Sequence, residues 1–124
     1  MKIYFFPLPH SFYVAERKYQ LESENTKNFL TKGEWIEIKD TTERIRIVFF
    51  SQSAVIYNLQ NEDSLFFNNI SWQIERVFLE SWENSKHDYC IFEYQENGKD
   101  TLNVYFRYND EDYKTQMTQK KSSH

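Results

Sequence analysis

The dipeptide Asn97-Gly98 stands between two runs of strand-forming residues, Asp88–Gln95 and Thr101–Tyr108. Asn-Gly is the strongest short hairpin signal, because both central residues of the tight mirror-image turn need a positive φ. An antiparallel pair therefore forms here, and a lone pair needs further strands or a helix to be stable. A two-residue turn sets Ile91 opposite Val104 and Tyr89 opposite Phe106 on one face. The reverse face then carries Tyr94 by Thr101, Phe92 by Asn103, Cys90 by Tyr105 and Asp88 by Arg107.

The rest of the chain suits strands too. Aromatic residues make up 19% of its 124 residues, and alanine occurs only at Ala15 and Ala54. Aromatic and β-branched side chains fit a pleated, half-buried surface better than a helix. Gly and Pro occur twice each, which excludes collagen-like and Pro/Gly-rich disordered classes. A glycine-rich phosphate loop is excluded as well.

Along the chain, Lys2–Phe6 reads as a first strand that Pro7 and Pro9 end. Ser11–Leu21 fits strand and helix alike. Residues 23–32 read as one short helix, with Ser23 as N-cap, Phe29 and Leu30 as its apolar contact and Gly33 just past its end. Glu34–Lys39 and Glu43–Phe50 form a hairpin in which Ile38 faces Ile45 and Ile36 faces Ile47. Its other face sets Glu37 against Arg46 and Trp35 against Val48. Ser53–Leu59 follows as a strand. Residues 62–82 fit helix or strand, and their β-rich surroundings favour strand. Beyond Asp112 the apolar pattern fades, so residues 1–113 are expected to form one domain and 114–124 a flexible basic tail. The fold class expected is mainly β, a curved antiparallel meander or small up-and-down barrel with one short helix. The alternative is an α+β fold with a helix packed on an antiparallel sheet.

Catalytic signatures are missing: no GxSxG elbow, HExxH pair or Walker loop occurs. His87 and Cys90 are three residues apart, so on a strand they point to opposite faces and share neither a metal nor a proton. No enzyme activity, cofactor or metal site is expected. One cysteine allows no intrachain disulfide and suits a reducing compartment. The apolar N-terminal run is too short for a signal-peptide core, and no stretch reaches the length of a membrane span. A cytoplasmic protein without membrane partners is the expectation. Basic residues are scattered, which speaks against nucleic acid.

Charge is distributed unevenly. Residues 1–61 carry a net +1, residues 62–112 a net −8 and residues 113–124 a net +3. The acidic block is also rich in aromatics. Carboxylates around exposed rings suit a basic partner, because charge steers the encounter and Trp and Tyr anchor it. The candidate partner-binding residues are Trp72, Glu80, Trp82, Glu83, Asp88, Phe92, Glu93, Tyr94, Tyr105, Asp110, Glu111 and Asp112. In this overall character the chain resembles the small, acidic, aromatic-rich immunity proteins that bacteria make against polymorphic toxins, including contact-dependent inhibition toxins. That resemblance implies neutralisation of a basic toxin domain, for example a nuclease, by covering its active site. A local resemblance, at Gly33-Glu34-Trp35, is to the G-x-W start of lipocalin-like barrels. It implies an alternative function as a carrier of a small apolar ligand, with Trp35 closing the barrel floor.

Overall fold

The structure is a computed structural model that describes residues 10–83 and 85–120, and the expected strand Lys2–Phe6 lies outside them. A helix, α1 (His10–Leu30), precedes nine strands. Four are short: β1 (Glu34–Glu37), β2 (Arg46–Phe49), β3 (Ala54–Tyr57) and β4 (Ser64–Phe67). Then come β5 (Asn69–Gln73), β6 (Arg76–Glu83), β7 (Lys86–Glu96), β8 (Thr101–Tyr108) and β9 (Glu111–Lys120). All pair antiparallel in one sheet of order β4-β3-β2-β1-β9-β8-β7-β6-β5. The sheet is thus two meanders, β1–β4 and β5–β9, joined where β1 pairs with β9. It curls into a nearly closed barrel, with β4 touching β6 across the gap.

Alternation along the strands fills the interior. Trp35, Phe67, Phe92 and Phe106 are fully enclosed. Phe49 from β2 meets Phe92 from β7 edge-to-face at 5.1 Å, and Phe92 meets Phe106 the same way at 5.3 Å. These contacts tie the two meanders through the middle, in a geometry that aromatic quadrupoles favour.

The C-terminal half of α1 packs against one end of the sheet. Thr26 and Leu30 are buried, and Phe29 stacks on Tyr94 and tilts against Trp35. The Trp35 indole N–H donates to the Leu30 carbonyl at 3.1 Å, satisfying one of the acceptors a helix end leaves over. Thr26 accepts the Glu75 N–H from the β5–β6 turn at 3.2 Å. Ser23 is not an N-cap: the helix begins at His10, and the Ser23 hydroxyl donates back to the Gln20 carbonyl. Helix, not strand, therefore occupies the ambiguous stretch 11–21. Gly33 lets β1 lie close to β9, since a Cβ there would stand 3.2 Å from the Lys120 carbonyl oxygen.

Both expected hairpins exist, each in a different register. In the first, Trp35 pairs with Ile47 and Ile36 with Arg46, one residue from the expected alignment. A one-residue slip exchanges the two faces of a strand. Trp35 and Glu37 consequently point inward, and Ile38 is left half exposed. In the second hairpin Phe92 pairs with Phe106 and Tyr94 with Val104. Its connection is the four residues Asn97 to Asp100, closed by an Asn97 N–H bond to the Thr101 carbonyl, with positive φ at Gly98 and Asp100. Two-residue turns occur elsewhere, notably at Asn109-Asp110, where both residues have positive φ. Asn and Asp tolerate that conformation better than other residues with a Cβ.

Residues 62–82 form strands, chiefly the β5–β6 hairpin. The expected tail is corrected more strongly. Residues 111–120 form β9, paired with β8 on one side and β1 on the other, so 114–120 belong to the body of the sheet. Met117, Thr115 and Tyr113 point inward at every second position, and Met117 is fully buried.

Candidate functional site

The start of β7 and the β8–β9 turn meet at one end of the long meander. Backbone and side chains knit them together. Asn109 accepts the Tyr89 N–H at 3.0 Å through its side chain, donates its own N–H to the Tyr89 carbonyl and bonds Asp88 at 2.9 Å. The Tyr89 hydroxyl donates to Asp110, and that bond pushes the phenol pKa up from its ordinary value.

On the outer side of this end lies a row of stacked rings. Trp82 on β6 pairs with His87 on β7, and the two rings stack at 4.2 Å and 19°. His87 continues to Tyr89 at 6.4 Å, and Tyr89 stacks on Phe78 at 6.1 Å. Glu80 holds the imidazole, with 2.8 Å between Nε2 and the carboxylate. Trp82 remains 59% exposed. Asp110 is exposed beside this row, Glu83 and Glu111 are exposed at the same end but on the opposite face of their strands, the one that Leu79 and Met117 line, and Asp88 is half-buried at the rim.

Six candidate residues therefore gather at one end: Glu80, Trp82, Glu83, Asp88, Asp110 and Glu111. Glu93, Tyr105 and Asp112 share the outer face farther along, where Glu93 pairs with Arg76 and Asp112 with Arg107. Arg107, then Tyr105, holds the Asp112 carboxyl below its ordinary value. Phe92 and Tyr94 do not belong to the surface. Both are buried, because the shifted register turns even-numbered residues of β7 inward. Trp72 is half-buried against Phe49 and donates its indole N–H to the Ser51 carbonyl. His87 and Tyr89 were missed. Their signal was parity: once Cys90, Phe92 and Tyr94 are inside, His87, Tyr89 and Ile91 must be outside.

His87 and Cys90 do face opposite ways, and burial pushes the Cys90 thiol well above its ordinary value. Such a thiol is inert. Among the described residues no group of three His, Cys, Asp or Glu is placed to hold a metal. Nor is any described helix long and apolar enough to cross a membrane.

A second polar feature is structural. Glu37 is buried, and its carboxylate accepts the Ile45 N–H at 3.2 Å, the Tyr113 hydroxyl at 2.5 Å and the Thr115 hydroxyl at 2.6 Å. Burial pushes this carboxyl up, but the bonds from Thr115, Tyr113 and Ile45, with the charge of Lys39, hold it below its ordinary value of 4.5. A buried ionised group needs such partners. Glu37 borders a cleft of about 420 Å³ that also touches Lys39, Asn58 and Tyr113. A larger groove, about 780 Å³, runs over the outer face between Arg76, Tyr105 and Lys114. The space inside the sheet, which a carrier would use, is occupied by Trp35, Phe49, Phe92, Phe106 and Met117.

Comparison with protein-family models, curated proteins and solved structures found no match for this chain.

Proposed function

We propose that the protein is a protein-binding module of the immunity type, which grips a basic partner with the turn end and outer face of β6–β9. The observation that carries this is the exposed indole of Trp82, held flat on His87, with Glu80 on the same face and Glu83, Asp110 and Glu111 exposed at the same end of the sheet. An ordered aromatic ring loses little freedom on binding, and surrounding carboxylates attract positive charge from a distance. The partner fitting this surface is a basic toxin domain, for instance a nuclease, which the module would neutralise by covering its active site.

The test is capture of the partner from the native host at low and then at high salt, followed by charge reversal. Glu83→Lys combined with Glu111→Lys changes two exposed carboxylates. We expect roughly tenfold or greater loss of affinity at low salt and a flatter salt dependence, because surface charges act within about 10 Å at 0.1 M salt. Unchanged binding and an unchanged salt slope would defeat the proposal. The toxin assignment is tested by growth: cells that the partner alone kills should survive when both proteins are made.

A further inference from the structure

We infer that the partner anchors an arginine, in preference to a lysine, on the open face of Trp82. This rests on the protein-binding function proposed above and specifies the chemistry of its central contact. One face of the indole is covered by the His87 ring at 4.2 Å, yet Trp82 is still 59% exposed, so the opposite face is the exposed one. The ring is also fixed. Glu80 holds His87, His87 lies under Trp82, and the row continues through Tyr89 to Phe78. A fixed indole with the Glu80 carboxylate on its own face is complementary to a cation, because the ring face is the negative part of its quadrupole.

The shape of the cation follows from the same geometry. Guanidinium is planar and weakly hydrated, so it stacks flat on an indole while its edge N–H groups reach sideways. Glu80 lies two residues before Trp82 on the same face of β6, against His87, whereas Glu83 follows Trp82 on the opposite face and adds negative charge at the end of the strand. A carboxylate has about four acceptor positions, so Glu80 accepts an outside donor while keeping His87. Ammonium is a compact, strongly hydrated charge and gains less from a flat ring. Arginine therefore uses both the ring and the Glu80 carboxylate, whereas lysine uses chiefly the charge.

The experiment uses the full chain and two synthetic probes: an acetylated, amidated peptide alternating glycine with four arginines, and its lysine counterpart. The indole N–H signals of a 15N-labelled sample report which tryptophan responds. The arginine peptide should move the Trp82 signal, leave that of buried Trp35 in place and bind roughly threefold to fivefold more tightly than the lysine peptide. Trp82→Leu should erase that preference while both peptides keep a weak, salt-sensitive attraction. Circular dichroism on the variant confirms that the fold persists, as expected for an exposed position. Trp82→Phe should retain part of the preference. Equal binding of both peptides, weakened alike by Glu83→Lys, would overturn the arginine anchor and leave the acidic surface standing. Failure of both peptides to bind would also overturn the anchor, and the host partner's salt-sensitive capture would then judge the acidic surface by itself.

Discussion

Strands β1–β4 are four residues each, whereas β6–β9 run from eight to eleven. The short meander turns through longer connections, including the bend at 38–45 and a 3-10 turn at Leu59–Asn61. The long one turns through two-residue links at Ile74-Glu75 and Asn109-Asp110. Their outer faces differ as well. Val48, Val55 and Phe66 lie in register across β2, β3 and β4, beside Arg46, which pairs with Glu34 and covers the Tyr57 ring at 4.2 Å. The long meander shows stacked rings and carboxylates instead. Short strands form few ladder bonds, so the small half depends on what it buries: Trp35 under the helix end and Glu37 with its three donors. Long ladders hold themselves, which leaves their outward residues available for a partner.

This contrast predicts a graded series. The largest loss should come from the ring that joins the halves. Phe92→Ala should lower unfolding free energy by about 3–5 kcal/mol in urea titration, since it opens a cavity at the Phe49 and Phe106 contacts. If it proves mild, the halves are not coupled through the interior.

Next is Glu37→Leu, which leaves the Ile45 N–H and two hydroxyls without their acceptor. A loss of roughly 2–4 kcal/mol is expected. The wild-type protein carries a matching pH dependence. The folded-state value of Glu37 lies below the ordinary 4.5, so its contribution is complete above that pH. It disappears as the pH falls through the lowered value, because the unfolded chain takes up the proton first. Denaturation midpoints between pH 6 and pH 2 should fall less steeply in Glu37→Leu than in the wild type.

Asn109→Ala should cost about 1–2 kcal/mol, by placing alanine at φ 46 and removing the side-chain bonds to Tyr89 and Asp88. Hydrogen exchange should then rise at the β8–β9 turn before it rises in β1–β4. The smallest effect on stability belongs to Trp82→Ala, within about 0.5 kcal/mol. The same change should weaken partner binding by about 2 kcal/mol, near thirtyfold, in titration calorimetry. A variant that loses both equally would place Trp82 in the structure's support rather than at its interface.

Strand content, the positions of two hairpins and the outward placement of Trp82 were legible in the sequence. Register was not, and both errors share a cause. Residues 35–38 are apolar on both parities, with Trp35 on one and Ile36 and Ile38 on the other, and β7 likewise opposes Ile91 to Cys90 and Phe92. Local alternation then gives two equal answers. The choice is made by residues far along the chain. Tyr113 and Thr115 receive Glu37 from nearly eighty positions away, so a carboxylate that invites an external partner at Arg46 goes inside instead. β9 escaped notice because its outward residues are polar and its inward set, Tyr113, Thr115 and Met117, contains two hydroxyls. The candidate site was legible in charge and only partly in rings, since which rings face out depends on that same parity.

The position of β9 has a consequence for biogenesis. On a ribosome, residues 111–120 emerge after every other strand described, yet they lie between β1 and β8 at the centre of the sheet order. The early meander, β1–β4, must wait with one flank of β1 unsatisfied until translation has passed Lys120. A nascent chain stalled before residue 111 would hold two unjoined pieces with sticky margins, which are natural substrates for a chaperone.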